Sequence, residues 1–350
     1  MNNSKTQISD ALTFYALFVS GAVFSGFLNY GSFTLCSFVF VLSFCVGIFL
    51  LFYFAQKLNC NFSQPKKHEF VFILPLLFCC GGLFFSYTSR FISCVPSLSE
   101  GFSQKWFAAL PALISLFCAF TVSKKGLLSF CGISVICLTL VIVPLFITWF
   151  CFLGYVPYDG FSFKQNFDIK SDYIFRALSF SAEIPLLFTL FSSERKKSFS
   201  RGAFFGILLF LLTLFLESAK HIAFFGINGA GNILTPEKTM LSAIPFLNAR
   251  ELYVFAFYFS YMIKITLCFC AATVLMKRLF ESFSKERFLK HTGVSVFSLF
   301  FIFFLVASRT PDLNYFYFES ALCVLASATA VLGIFANYAF KIKKATSKNR

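Results

Sequence analysis

Charge is scarce in this chain: Asp, Glu, Lys and Arg make up 13% of its 350 residues, against about 25% in a typical soluble domain. That shortfall excludes a soluble globular protein, whose aqueous surface must be roughly half polar. Histidine is nearly absent too. The three present, His68, His221 and His291, fall near expected loops or span ends, and no Ser/His/Asp set, HExxH pair or phosphate-binding loop accompanies them. Membrane acyltransferases and glycosyltransferases gather acidic or histidine residues at one face, so an enzyme is not expected here. The 13 cysteines show no CxxC spacing. Most fall inside apolar runs (Cys36, Cys45, Cys118, Cys137, Cys268), where free thiols behave as small hydrophobes. Neither a disulfide framework, a metal site nor a bound cofactor is expected.

What the chain does have is apolar bulk: 58% hydrophobic residues, 57 of them Phe, with a mean hydropathy of +0.78. Runs long enough to cross a bilayer recur from end to end. Spans are expected at 11–30, 34–55, 70–92, 106–122, 127–153, 176–192, 203–224, 251–275, 293–307 and 317–340. Ten spans of about 20 residues leave only short tails and loops, so an all-α integral membrane protein forming one transmembrane domain over 1–350 is expected.

The net charge of +15 follows from topology. With the N-terminus inside, the cytoplasmic segments hold 20 Lys and Arg, the outer loops hold 9, and Lys264 alone is left within a span. Such a bias orients all ten spans, with both termini cytoplasmic. The basic residues form no single patch, so a nucleic-acid partner is not expected. Lys5 ahead of span one, with Ser20, Gly21 and Ala22 behind it, has some look of a signal peptide, but the apolar run continues through Leu28. In the outer loop 225–250, Thr235, Pro236 and Glu237 predict the start of a short surface helix.

Ten spans divide five plus five, at about 11–153 and 176–340. An odd number of spans per half inverts one half relative to the other, as in inverted-repeat transporters. The first span of each half carries small residues near mid-depth: Ser20, Gly21, Ala22, Ser25 and Gly26 in span one, and Ser179, Ser181 and Ala182 ahead of Pro185 in span six. Both spans are expected to unwind there and offer backbone groups to a substrate. Ala16 is expected on the lipid side.

An ionised side chain at mid-bilayer costs about 3 kcal/mol or more unless paired or near water. Glu217 and Lys220, three residues apart in span seven, can neutralise each other. Lys264 is central in span eight, with Ser260, Tyr261 and Cys268 on its face at helical spacing, and Glu183 is the one other charge expected at that depth. Three readings stand open: Lys264 takes the place of a coupling cation, Glu183 carries a proton, or the two form a structural ion pair.

Ile8-Ser9 before span one, Ser181-Ala182-Glu183-Ile184 in span six, and Asn248-Ala249-Arg250-Glu251-Leu252 leading to Tyr261-Met262-Ile263-Lys264-Ile265 resemble the spore germination permeases. These are the GerAB-type B subunits of germinant receptors, related to amino acid permeases of the amino acid/polyamine/organocation superfamily. The resemblance implies a LeuT-like five-plus-five repeat that binds a small amino acid or related nutrient between broken spans one and six. Transport would be proton-coupled or sodium-independent. As a receptor subunit, the chain would sit in a spore inner membrane with A and C subunits and need not transport.

The charge bias gives a direct test of topology. In a background lacking other cysteines, an impermeant thiol reagent added to intact cells should modify Cys94 and spare Cys60. The reverse pattern contradicts a cytoplasmic N-terminus.

Overall fold

The computed structural model describes residues 2–24, 35–57, 70–98, 105–152, 174–175, 178–180, 182–190, 196–232, 239–241, 250–282, 292–309 and 315–348. Helices dominate because a lipid-solvated backbone must satisfy its own hydrogen bonds. In chain order they are α1 (Asn2–Phe24), α2 (Leu35–Lys57), α3 (Phe70–Leu98), α4 (Lys105–Lys125), α5 (Leu127–Phe152), a 3-10 turn (Ile184–Leu186) running into the short α6 (Leu187–Leu190), α7 (Lys196–Asn232), α8 (Arg250–Ser282), α9 (Thr292–Ala307) and α10 (Tyr315–Lys348). Among the described residues, seven helices (α1, α3, α4, α5, α7, α8 and α10) are long and apolar enough to cross a membrane, and α2 and α9 carry shorter apolar stretches.

The expected spans fall on these helices, but several helices outrun them. α3 continues past 92 to Leu98, and α7 covers Lys196–Asn232 where 203–224 is expected. A hydropathy window stops where charges begin, whereas a helix already started gains one backbone bond for each added residue. Arg278, expected in a cytoplasmic loop, is thereby buried on α8, and Arg90 and Lys220, counted with the outer-side charges at the ends of their spans, are buried on α3 and α7. His221 is fully buried on α7 rather than near a loop. Cys94 is half-buried on the last turns of α3, so its labelling calls for a small reagent. Cys60 and the Thr235-Pro236-Glu237 helix start lie outside the described residues.

α1 and α8 form the centre: 72% and 78% of their spanning windows are buried, against 28% for α4. Around them, α8 packs on α3, α4 and α5, while α3 packs on α8, α9 and α10. Shifting every helix number by five exchanges these pairings, α8–α5 for α3–α10 and α8–α4 for α3–α9, which is the relation a five-plus-five repeat requires. Outer faces carry Leu128, Val143, Phe150, Phe204 and Phe335, all exposed and suited to lipid. Ala16 is fully buried, because α1 is enclosed on every side and has no lipid face there. Gly126, at φ +77, makes the one-residue turn between α4 and α5, a conformation that favours glycine.

The most extensive helix contact, α1 on α7, is made by small residues. A Cβ on Gly202 would come within 3.0 Å of the Asp10 carbonyl carbon, and one on Gly206 within 2.9 Å of the Ala11 carbonyl oxygen. Small residues four apart let backbones approach where lipid offers no hydrophobic drive for helix association. On the same face the Ser198 hydroxyl donates to Asp10 Oδ2 at 2.5 Å.

Gly206→Ala is therefore expected to destabilise the purified protein by about 1–3 kcal/mol through overpacking. Gly132→Ala, with open space around the added methyl, should be neutral or stabilising by up to about 1 kcal/mol. Unfolding in detergent checks the pair.

Candidate functional site

The break comes in segment six. After helical residues 178–179 the chain turns through Phe180, Ala182 and Glu183 before the 3-10 turn and α6. Pro185 starts that second half-helix and cannot donate backwards, which fixes where the helix restarts. Glu183 sits at its N-cap position, where the helix dipole favours a carboxylate.

Freed from helical pairing, the Phe180 carbonyl accepts a hydrogen bond from Lys264 Nζ at 3.0 Å, and Glu183 Oε2 accepts a second from the same ammonium at 2.7 Å. The Tyr87 hydroxyl donates to Glu183 Oε2 at 2.6 Å, and the Lys264 ammonium lies 4.5 Å from the Tyr87 ring centroid. Lys264 and Glu183 have no exposure to solvent. An ammonium has three donors; here two reach oxygen and the ring face receives the remaining charge. The arrangement ties α8 to segment six and to α3 at the middle of the bundle.

α3 organises the rest. Ser86-Tyr87-Thr88-Ser89-Arg90 are five consecutive polar residues, and at 100° per residue they point all round the helix. Ser86 donates to Glu319 Oε1 (2.8 Å), Thr88 pairs with the Tyr261 hydroxyl (3.1 Å), Ser89 with that of Tyr315 (2.9 Å), and Arg90 reaches Glu319 Oε2 (3.3 Å). One turn of α3 thus bonds to segment six, α8 and α10. Sequence reasoning missed it: Arg90 was counted only among the outer-side charges, and Glu319 was not singled out at all. The signal was present, since five adjacent hydrogen-bonding side chains on an otherwise apolar helix cannot all face lipid. Glu183 is consequently not the one other charge near Lys264.

The expected site residues are brought together only in part. Glu183 and Lys264 meet directly. Ser179 and Ala182 flank the turn and are buried. Ser20, Gly21 and Ala22 lie on α1 and are buried, but they stay helical, and α1 continues unbroken to Phe24. No proline interrupts that stretch, and Gly21 serves close approach instead: a Cβ there would fall onto the Phe180 carbonyl oxygen. Ser25, Gly26 and Ser181 lie outside the described residues. On the α8 stripe, Ser260, Tyr261 and Cys268 are all buried. The Phe180 ring anchors the break among Phe18, Phe210 and Phe44, with centroids 5.9, 5.6 and 6.0 Å away.

A second buried cluster lies on α7 and α5. Glu217 pairs with Lys220, as expected, and also accepts from the Trp149 indole at 2.8 Å, while Lys220 donates to the Thr148 hydroxyl at 2.8 Å. These mutual bonds neutralise the charges locally. Arg278 donates to the Thr189 carbonyl at 3.1 Å, fastening the last turn of α6 to α8.

Removing one member of the Glu183–Lys264 pair strands the other in a dry interior. Lys264→Met is expected to cost about 3–5 kcal/mol of stability. Glu183→Gln added to it should recover part of that loss in a double-mutant cycle. Additive losses would show that the two charges are not coupled.

No family model matches the chain, and no curated protein matches it. Solved structures that share its fold include two symporters. One is a nucleobase-cation-symport-1 family transporter in a closed conformation with bromovinylhydantoin bound, with a TM-score of 0.60 and 12% identity over 94% of this chain and 77% of that one. The other is a Na+-coupled sialic acid symporter in a substrate-bound, outward-open state, with a TM-score of 0.60 and 13% identity over 94% of this chain and 78% of that one. The chain is an all-α integral membrane protein with a LeuT-like fold.

Proposed function

We propose that the chain is a permease-like membrane transporter that binds a small amino acid or related nutrient where segment six breaks against α1, and that it works without sodium. The observation that carries this reading is the Lys264 ammonium at the break, bonded to the Glu183 carboxylate and the Phe180 carbonyl. Two oxygens that suit a small cation are already taken by a charge belonging to the protein. A buried pair of this kind is worth keeping where its charges change partners or protonation during a cycle. Ser20, Gly21, Ala22, Ser179 and Ala182 supply the packed surface next to it, with Ser25, Gly26 and Ser181 as the remaining substrate-site candidates.

Uptake by proteoliposomes containing the purified chain tests the proposal. A labelled amino acid should accumulate under an inward proton gradient, unchanged when choline replaces sodium. Lys264→Met protein that remains folded should no longer respond to pH. Saturable binding with no uptake would instead support a non-transporting nutrient sensor, the B subunit of a germinant receptor with A and C partners in a spore inner membrane.

Gly21→Leu and Ala182→Leu should reduce uptake at least tenfold with membrane insertion intact, since Leu inserts favourably, at about −0.5 kcal/mol. Val143→Leu on the exposed face of α5 should leave uptake unchanged. Native ligand affinity in both pocket variants would contradict the site.

A further inference from the structure

Arg90 stands three residues beyond Tyr87 on α3, its side chain 7% exposed. Its guanidinium carbon lies 4.3 Å from the Phe316 ring centroid and 5.0 Å from that of Phe24. A guanidinium carries five N–H donors in a rigid fork that suits a carboxylate two bonds at a time. Among the described residues its hydrogen bonding is a single contact, Nη1 to Glu319 Oε2 at 3.3 Å. That contact is long for a charge-assisted bond and leaves the fork unfilled.

Glu183 shows the opposite imbalance. Both its hydrogen bonds arrive at Oε2, while Oε1 is buried with no partner among the described residues. A buried acceptor left unpaired pays its desolvation without a hydrogen bond in return. The two open groups carry opposite charge and are linked through two rings: Arg90 lies over Phe24, Phe24 meets Tyr87 edge-on at 5.6 Å between centroids, and the Tyr87 hydroxyl donates to Glu183. With Glu183, Glu319, Arg90 and Lys264 ionised, the local charges sum to zero. An anionic or cationic ligand would leave one charge uncompensated in a dry interior, which is strongly unfavourable. A zwitterion leaves the sum at zero and brings a carboxylate for the fork and an ammonium for Oε1.

We propose that Arg90 and Glu183 Oε1 are the two poles of a zwitterion-binding site, Arg90 taking the ligand carboxylate and Glu183 its ammonium. Glu319 is the internal carboxylate that holds the guanidinium when no ligand is bound. The inference rests on the reading of the chain as a protein that binds a small amino acid or related nutrient, and adds the residues that read the two charges of its ligand.

The test is thermal unfolding of the purified full-length protein in detergent with each of the twenty proteinogenic amino acids. The most protective one is then compared with its decarboxylated amine and its deaminated acid. Saturable protection by the amino acid is expected, with both analogues at least tenfold weaker. The charge-neutral double variant Arg90→Met, Glu319→Gln should keep a cooperative transition and lose at least tenfold in amino acid affinity. Glu319→Gln alone leaves the interior with one extra positive charge, so it should bind the deaminated acid at least tenfold more tightly than the parent protein does. A purely structural Arg90–Glu319 pair would not produce that gain. Where the double variant yields no folded protein, the Glu319→Gln result decides. No protection by any amino acid, protection by an analogue equal to the amino acid's, or parental affinity in the double variant overturns the proposal. Amino acid binding without vesicle uptake would reject transport and leave this site standing, whereas uptake of solutes lacking a carboxylate would reject this site and leave transport standing.

Discussion

The structure depends on how a single ammonium is satisfied away from water. Lys264 lies in the middle of the most buried helix, and a lone charge there would be prohibitive. Its solution requires a carboxylate and a main-chain carbonyl not already used in a helix. A continuous segment six would keep the Phe180 carbonyl for itself. The break before Pro185 and the burial of Lys264 therefore explain each other, and Gly21 on α1 permits the close approach that holds the broken segment in place.

Around that point the interior is layered by chemistry. Polar groups cluster on one turn of α3, which reaches segment six, α8 and α10 through hydroxyls and Arg90. Aromatic rings close over them: Phe91 stacks on Tyr261 at 4.4 Å and Phe24 on Phe257 at 4.7 Å between centroids. Low dielectric strengthens each polar contact and raises the penalty for leaving one unmade. The open valences at Arg90 and Glu183 stand out for that reason.

The membrane class and most helix positions were legible from hydropathy, because lipid leaves the chain little choice but helices. Lys264 was legible as the charge furthest from any loop. Its partner Glu183 was legible by depth, and the two are bonded directly in the structure. Ser20, Gly21 and Ala22, expected to unwind, are helical, because small residues mark close helix contact as readily as they mark a break; Ser25 and Gly26 lie outside the described residues. Arg278 was misplaced since a hydropathy window ends at a charge, while the helix bearing it continues to Ser282. Glu319 was invisible for want of a partner, as pairing across 229 positions between α3 and α10 leaves no periodic trace in a single sequence.

The ionisation and ligand response of the Glu183 carboxylate bear most directly on this account. Infrared difference spectroscopy of carbon-13 glutamate-labelled protein, with Glu183→Gln identifying the band, measures both. The account predicts an ionised carboxylate in the ligand-free protein whose band shifts when a protective amino acid binds. A protonated Glu183 at neutral pH, or a band that stays fixed while the ligand is bound, would contradict it.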